Sequence, residues 1–448
     1  MDWHALLCSE RLNNNNYKHS PYRSIFIQDY DRIVFSAPFR RLANKTQVQP
    51  LYENDHVHHR LIHSVEVSCV GRSLASQVGK WLEKRKVIKT GESSNIADIV
   101  QAACAAHDIG NPPFGHSGET AIGDWFAEKF EESKGIFSTL DNKERLEFEN
   151  FEGNAQGFRI LTRLEMKRNE GGMQLSKAVL GSFTKYPTTA PVQKKLESDS
   201  KKYVGVKKFG IFHSELDIFE DIAESLNLIS NSSDAGTWWK RHPLVFIVEA
   251  ADDICYNIVD LEDAFTTGEL SFESVKELLY EAAEFPNIDF TGQTEPEQIA
   301  YLRAISIGKS IDSCFEAFQQ NYDAIMSGGF SSSLAASGPK KAIFDKIQKV
   351  AIKRIFTARR KTKLEISGQQ VINSVMSSIL PIFEELYRNN WEPSKLSNYN
   401  EKMVRALGID LRDITNSREA LHALADFTSG MTDRYAVGTA RMISGSGV

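Results

Sequence analysis

The chain has 448 residues, of which 41% are hydrophobic and 25% charged, and its formal net charge is −6 at neutral pH. This balance is typical of a globular protein with a sizeable core, and it excludes a disordered composition and the strongly basic composition of nucleic-acid coat proteins. Five cysteines without CxxC spacing indicate reduced thiols. The sequence shows neither a leader-like N-terminus nor an apolar run of roughly 18 residues, so we expect a cytoplasmic protein without a membrane partner.

Helical periodicity dominates the chain. Apolar residues over 60–82 follow the i, i+3, i+4 spacing of one helix face without a proline, which predicts a long helix with His63 in its first turn. A second buried helix is predicted over 96–106. The Gly-Asn-Pro-Pro run that follows must break the helix, so His107 and Asp108 are expected at its C-terminal end.

The remaining elements are also mostly helical, and the expected fold class is therefore all-α with little β-structure. Only 203–212 could alternate as a strand, and a hairpin or an ordered loop explains it equally well. Further helices are predicted over 118–130, 154–166, 174–183, 214–228, 243–265, 297–322, 341–362, 368–387 and 417–427. Polar or Gly- and Pro-containing stretches predict loops at 13–16, 185–202, 231–237 and 328–340.

Two fragments that lie 44 positions apart could together bind a divalent metal ion: His63 in one, and the adjacent His107 and Asp108 in the other. Imidazole and carboxylate ligands suit Mn, Fe, Zn, Co or Ni, whereas a site for Mg alone is usually all oxygen. A His-Asp dipeptide also arises by chance. Burial of that carboxylate beside two imidazoles is costly, however, unless a metal or a dense hydrogen-bond network satisfies it. The pattern indicates hydrolytic chemistry.

A fourth ligand is expected from the predicted helix over 243–265. Asp252, Tyr256 and Asp260 recur at every fourth position, so they span an arc of about 80° on one helix face. The spacing does not choose between Asp252 and Asp253 as the ligand. A solvated acidic stripe is the alternative interpretation, and the flanking apolar residues make full exposure of this helix unfavourable.

A proton-transfer pair and a cation lie close to these residues in sequence. His116 precedes Glu119 by three positions, which lets the carboxylate orient the imidazole if both lie in the first turn of a helix. A histidine that only caps the helix is the alternative. Arg60 lies three residues before His63, on the same helix face, where it could bind a phosphate.

Six segments in order along the chain resemble the HD-domain deoxyguanosine triphosphate triphosphohydrolases (dGTPases). They run from residue 39 to residue 436, and the ordered set is specific for the family, although less so for dGTP itself. The segments are FRRLANKTQV at 39–48, RLIHSVE at 60–66, HDIGNPPFGH at 107–116, FEGNAQ at 151–156, AADDICY at 250–256 and GMTDRYA at 430–436.

The resemblance implies an HD-domain helical bundle that hydrolyses dGTP to deoxyguanosine and tripolyphosphate. The loop from Gly328 is the candidate boundary between an HD core with N-terminal helices over 1–327 and a helical C-terminal region over 328–448, expected to pack on the core and at subunit contacts. The alternative is that the helices on both sides pack into one body. The resemblance further implies a homo-oligomer, expected to be a hexamer, and a single-stranded DNA or dNTP effector. The cofactor is expected to be Mn, Mg or another transition metal such as Fe, Co, Ni or Zn.

The resemblance also assigns roles to individual residues. It selects Asp252 over Asp253 as the fourth ligand, and Lys208 over Lys207 as a phosphate-binding position. His116 is expected to act as the acid or the nucleophile. The implied site consists of the metal ligands His63, His107, Asp108 and Asp252, the catalytic pair His116 and Glu119, and the substrate-binding residues Gln47, Arg60, Lys185, Tyr186, Lys208, Tyr256 and Asp260.

One position departs from the wider HD group, and two other functions stay open. Asn111 stands where mammalian dNTPase relatives have histidine, which puts a catalytic role at that position in doubt. Glu152 and Asn154 match the family without a definite role, and Asn154 is expected to cap the following helix. The alternatives are an HD phosphohydrolase acting on other dNTPs or nucleotides, and a nucleotide-sensing or single-strand-binding protein of the same fold.

Overall fold

The computed structural model describes residues 1–446 apart from 15, 16, 18, 19, 21, 46–58, 167–169, 198–202 and 356–358. These residues form twenty α-helices, short 3-10 and π turns, and one antiparallel hairpin, which confirms the all-α class. The helices are α1 Trp3–Leu6, α2 Ile25–Phe35, α3 Ala37–Arg41, α4 Arg60–Lys84, α5 Ser93–Ala106, α6 His116–Glu132, α7 Asn142–Glu149, α8 Gly153–Arg159, α9 Lys177–Phe183, α10 Ala190–Leu196, α11 Leu216–Ser225, α12 Val245–Thr266, α13 Phe272–Ala282, α14 Glu295–Gln320, α15 Tyr322–Met326, α16 Lys341–Val350, α17 Arg359–Arg388, α18 Asn398–Leu407, α19 Ser417–Ser429 and α20 Asp433–Ile443. The strands are β1 Ser230–Ser233 and β2 Gly236–Trp239.

Helix α4 is the central element, and it packs against α5, α12 and α14. Its apolar residues Leu74 and Val78 are fully buried and lie one turn apart. Gly71 allows α4 and α5 to approach closely, since a Cβ there would lie 2.5 Å from Cys104 Sγ. This packing brings the first turn of α4 beside the C-terminal end of α5, where α5 ends at Ala106 and His107 follows as predicted.

Among the described residues, buried apolar side chains form two clusters, and the turn over 107–116 passes from one to the other. The first cluster is built mainly from α4, α5, α9, α12 and α14, and it contains Ile109. The second is built mainly from α6, α17 and α19, and it contains Phe114. The residues between them therefore lie where the two cores meet. The division of the chain at 327 and 328 stays a prediction.

Several local predictions were wrong. The stretch 231–237 lies in the hairpin of β1 and β2, and β1, Ser-Asn-Ser-Ser, carries none of the β-branched or aromatic signal that identifies strands. The loop predicted over 185–202 contains α10, which has Pro191 near its first turn. For 203–212, where a hairpin and an ordered loop were both open, the ordered loop is confirmed, with one 3-10 turn over Val204–Val206.

Two further features follow from the described residues. Cys104, Cys255 and Cys314 are buried thiols, whereas Cys69 is exposed, and all five cysteines are free. Within the described part of the chain, no helix combines the length and the apolarity that a membrane span requires.

Candidate active site

Four side chains from three helical segments converge beside the C-terminal end of α5, and we call them the metal cluster: His63, His107, Asp108 and Asp252. The ligand atoms of His63, His107 and Asp108 all lie within 4.8 Å of one another. Asp252 Oδ1, from α12, lies 3.1 Å from His63 Nε2 and 3.6 Å from His107 Nε2. His63, His107 and Asp108 thus offer two imidazole nitrogens and a carboxylate oxygen to one point, and Asp252 Oδ1 lies beside both imidazoles.

The nitrogens of His107 are arranged as those of a metal ligand. Its Nδ1–H donates to the Cys104 carbonyl oxygen at 2.7 Å, which directs the lone pair of Nε2 towards the cluster. That Nε2 is buried and has no hydrogen-bond partner among the described residues. An orphaned buried nitrogen facing two carboxylates fits a divalent cation of the borderline type, so the donor set suits the expected cofactor.

Asp108 is held by neighbours on both of its oxygens. Arg60 Nη1 donates to Oδ2 at 2.5 Å, and Asn111 Nδ2 donates to Oδ1. Burial alone would raise the pKa of Asp108, but the Arg60 guanidinium and the two imidazoles outweigh it and lower the pKa to about 2. Asp108 is therefore a carboxylate at neutral pH, as a metal ligand must be.

Asp252 and Asp253 differ sharply in their surroundings although they are neighbours on α12. Burial would raise the pKa of Asp252, but His107 and His63 lower it well below the usual range. Burial and the nearby Glu249 carboxylate raise the pKa of Asp253 to about 7, and Asp253 does not line the cavity beside the cluster. Asp252 therefore lies beside the two imidazoles and Asp253 lies outside the cavity lining, while Asp252 as the metal ligand stays a prediction.

His116 and Glu119 form a hydrogen-bonded pair in the first turn of α6. His116 Nδ1 lies 2.6 Å from Glu119 Oε2, and the His116 side chain is 86% exposed while that of Glu119 is 9% exposed. The hydrogen bond and the charge of Glu119 raise the pKa of His116. Burial would raise the pKa of Glu119, but His116 and Lys208 lower it. The pair therefore favours an imidazolium with its Nε2 facing outward.

Two glycines, Gly115 and Gly153, leave room for charged side chains around this pair. Gly115 precedes α6 with a φ of 61°, and a Cβ there would lie 2.7 Å from the Arg60 guanidinium. The Gly153 backbone N–H donates to Glu119 Oε1 at 2.9 Å, and a Cβ at Gly153 would lie 2.6 Å from that oxygen. These contacts explain why both positions are glycine.

Two lysines extend the cavity, and each is ion-paired with a carboxylate. Lys185 Nζ lies 3.2 Å from Glu249 Oε1, and Lys208 Nζ lies 2.9 Å from Glu152 Oε2. Burial would lower the pKa of Lys185, but Glu249 raises it above its usual value. Burial would likewise lower the pKa of Lys208, but its main partner, Glu152, raises it above its usual value. Both side chains are therefore cationic.

One cavity of about 370 Å³ collects most of the predicted site residues. His63 is buried on α4 and Asp260 on α12, and neither lines the cavity. Gln47 lies outside the described residues. The burial of Tyr256 and its proximity to Asp260 raise its pKa, so its phenol is neutral. The predicted residues that line the cavity are Arg60, His107, Asp108, His116, Glu119, Lys185, Tyr186, Lys208, Asp252 and Tyr256.

The sequence did not identify several residues around this cavity. Glu249 holds both Lys185 and the fully buried Arg241, whose Nη1 lies 2.9 Å from Glu249 Oε2. Its position three residues before Asp252 on the same helix was the available signal. Asn154 does not cap α8 as expected, because the helix begins at Gly153 and Glu152 occupies the N-cap position; the Asn154 Nδ2 donates to Glu152 Oε1. Phe114 and Glu365 also line the cavity.

The comparisons with known proteins agree with this arrangement. The family model described as HD domain matches residues 60–267, which contain the whole metal cluster. The helical fold and this match together identify an HD-domain protein. They support metal-dependent phosphohydrolase activity.

Curated relatives narrow the assignment. A deoxyguanosinetriphosphate triphosphohydrolase-like protein of Synechocystis is 38% identical over 97% of each chain, and one of Pseudomonas aeruginosa is 38% identical over 99% of each. A deoxyguanosinetriphosphate triphosphohydrolase of Yersinia enterocolitica is 30% identical over 92% of each chain. The chain therefore belongs to the deoxyguanosinetriphosphate triphosphohydrolase-like family.

Proposed function

We propose that this protein hydrolyses deoxynucleoside triphosphates, with dGTP as the preferred substrate, to the deoxynucleoside and tripolyphosphate. The observation that carries the proposal is the shared cavity: the metal cluster, the His116–Glu119 pair and two lysines all line it or border it. The names of the relatives support dGTP as the substrate.

The proposed reaction requires three things of the site, and the chain's own residues match each. Attack at the α-phosphorus needs charge neutralisation, a nucleophilic water and a proton for the departing 5′ oxygen. A divalent metal held by His63, His107, Asp108 and Asp252 would supply Lewis acidity and lower the pKa of water. Arg60 faces the same cavity and adds positive charge beside the cluster.

His116 is proposed as the acid that protonates the 5′ oxygen of the leaving deoxynucleoside. Its pKa is raised by Glu119, which favours the protonated imidazole over the neutral nucleophile. The bond that breaks joins the α-phosphorus to the 5′ oxygen, and the proton passes from His116 to that oxygen. A phosphohistidine that accumulates during turnover would instead identify His116 as a nucleophile.

The lysines are proposed to bind the outer phosphates. Lys185 lies near Asp252, since its charge lowers the Asp252 pKa, whereas Lys208 lies near the His116–Glu119 pair. A substrate that spans both needs several anionic groups, which favours a triphosphate over a monophosphate. Tyr256 is proposed to contact the sugar, with Asp260 buried one turn further along α12 and Tyr186 beside Lys185.

The direct test is product analysis with a set of matched nucleotides. Protein loaded with Mn²⁺ is incubated with dGTP, dATP, dCTP, dTTP or GTP, and the products are resolved by ion chromatography and ³¹P NMR. We expect tripolyphosphate and deoxyguanosine from dGTP at the highest rate. Orthophosphate or pyrophosphate as the initial product would refute the proposed bond cleavage, and equal rates for all four dNTPs would refute the base preference.

Assembly is a separate proposal that rests on the family resemblance. We expect a homo-oligomer, with a hexamer as the predicted form, and its mass can be measured by multi-angle light scattering at micromolar concentration. A stable monomer would contradict it. Adding single-stranded DNA or a second dNTP to the same sample tests for an effector.

A further inference from the structure

Lys45 is a buried lysine beside the metal cluster that the proposed reaction leaves without a role. Its side chain is 3% exposed, although lysine is rarely buried unless its ammonium group is well bonded. Its Nζ donates to the Asn111 carbonyl oxygen at 2.6 Å and to the Ser429 carbonyl oxygen at 2.7 Å. These two acceptors are separated by more than three hundred residues of chain.

The two acceptors belong to different parts of the site. Ser429 is the last residue of α19, so its carbonyl is one of the acceptors that the helix leaves unpaired at its negative end. Asn111 lies in the turn between α5 and α6, and its Nδ2 donates to Asp108 Oδ1. A single side chain thus links the C-terminal end of α19 to the residue that orients a predicted metal ligand.

The backbone of Lys45 is fixed at the same place. Its carbonyl oxygen accepts from the Arg60 N–H at 3.2 Å, at the first residue of α4. Arg60 in turn donates to Asp108 Oδ2 at 2.5 Å. Lys45 therefore touches both residues that hold the Asp108 carboxylate, one through its backbone and the other through its side chain.

A second contact from the C-terminal helices holds the other end of the turn. Asp433 Oδ1, in the first turn of α20, accepts from the Phe114 N–H at 3.1 Å. The turn over 109–115 is thus held at Asn111 by Lys45, which also bonds the end of α19, and at Phe114 by Asp433 of α20. Because these are directional hydrogen bonds to buried groups, their loss would let the turn shift.

We propose that Lys45 is a positioning residue of the metal cluster: it fixes Asn111, and through it the Asp108 carboxylate, against the C-terminal end of α19. The inference rests on the proposed function, because it explains how one ligand of that site is held. Groups that orient metal ligands typically contribute about 10- to 100-fold to metal affinity or activity. The Lys45 side chain itself touches neither the substrate nor the metal ligands.

The test compares Lys45→Met with Lys340→Met in the full chain. Lys340 is a matched control, since it is 6% exposed and donates to the Ala282 carbonyl oxygen at 2.7 Å, outside the cavity. Calorimetric titration with Mn²⁺ measures metal affinity without substrate. We expect Lys45→Met to weaken it about 10-fold and Lys340→Met to leave it unchanged, although both lower the melting temperature.

Steady-state kinetics distinguish a role of Lys45 in positioning Asp108 from a role in stability alone. With Mn²⁺ saturating, Lys45→Met should lower kcat on dGTP while KM stays within about twofold, because Asp108 rather than a substrate contact is disturbed. Asn111→Ala should weaken Mn²⁺ binding to a similar extent. The double variant should add little to either single change, since both act along the same connection.

Several results would overturn the inference. Wild-type Mn²⁺ affinity in Lys45→Met would leave Lys45 with a structural role only. Additive losses of affinity in the double variant would contradict the claim that Lys45 acts through Asn111. If Lys45→Met does not fold, Lys45→Gln replaces it, because the shorter side chain stays polar but cannot bond both carbonyl oxygens, and unchanged Mn²⁺ affinity there counts against the inference. A wild-type protein that binds Mn²⁺ but leaves dGTP intact refutes only the proposed function, while one that binds no Mn²⁺ refutes both.

Discussion

The metal cluster and the two lysines, Lys185 and Lys208, lie around the same cavity, but they differ in whether their polar atoms already have partners within the protein. In the cluster, His107 Nε2 is buried without a hydrogen-bond partner among the described residues, so the group is incomplete without a ligand. The side chains of Lys185 and Lys208 are 28% and 36% exposed, and each already has a carboxylate partner. An anionic substrate must share these lysines with Glu249 and Glu152. The cluster should therefore determine kcat, and the lysines should make a smaller contribution to substrate binding.

The largest effect is expected from Asp252→Asn. The change removes a carboxylate that lies within 3.6 Å of both imidazoles, so metal binding should fail and dGTP hydrolysis should fall by about 1,000-fold or more, as the loss of several kcal/mol requires. Metal content is measured by mass spectrometry, and rate by release of deoxyguanosine.

Asp253→Asn is the matched control for that change, because it removes the neighbouring carboxylate, which does not line the cavity. It should retain metal and most of its activity. If Asp253→Asn lost the metal and Asp252→Asn kept it, the ligand assignment on α12 would be reversed.

Glu119→Gln should have the next largest effect. Without the carboxylate, His116 loses its orientation and its raised pKa, and kcat should fall roughly 100-fold. If His116 is the acid, its active protonated form is lost as pH rises through its pKa, so the alkaline limb of kcat should move to lower pH in the variant. The profile of kcat against pH measures this shift, and Glu128→Gln on the exposed side of α6 is the control. A profile that only drops, with both limbs in place, would contradict the assignment of His116.

The positions of the cluster residues could be predicted from local sequence, whereas the partners of the lysines could not. His107 and Asp108 lie where the proline-containing run predicted, because a helix end is encoded by adjacent residues. The helical spacing of Asp252 and Tyr256 likewise places both on the cavity wall. Local sequence was sufficient for the helical fold and for this part of the candidate site.

Other parts depend on contacts that no local pattern encodes. Glu249 pairs with Lys185, which lies 64 positions earlier, and Lys45 reaches Ser429 at the far end of the chain. Such pairs are set by how helices pack, so sequence spacing cannot reveal them. The hairpin at 230–239 was missed for a different reason, since its first strand, Ser-Asn-Ser-Ser, has the composition of a turn.

Lys185→Met should reduce kcat/KM for dGTP by about 10-fold, chiefly through KM. A hydrogen bond to a charged group contributes about 1.5–3 kcal/mol, and competition by Glu249 places the effect at the lower end. Glu249 keeps Arg241 as a partner in the variant, so it is not left as an unpaired buried charge and folding should be retained. Steady-state kinetics with dGTP test this, with Lys194→Met, an exposed lysine on α10, as the control. An unchanged KM would remove Lys185 from the proposed phosphate site.

The smallest effect is expected from Lys208→Met, because this lysine is the more exposed of the two and is shared with Glu152. Exposed ion pairs contribute about 0.2–1 kcal/mol, so KM should rise no more than about fivefold. Added salt screens such an exposed charge, and the difference between variant and wild type should therefore shrink at high ionic strength. Lys207→Met is a close control, since it removes the adjacent, more exposed lysine, which does not line the cavity. Steady-state KM values at low and high KCl decide the matter: equal effects of the two substitutions would assign only a general surface potential to this segment, whereas a salt-sensitive effect confined to Lys208 would place a phosphate beside the His116–Glu119 pair.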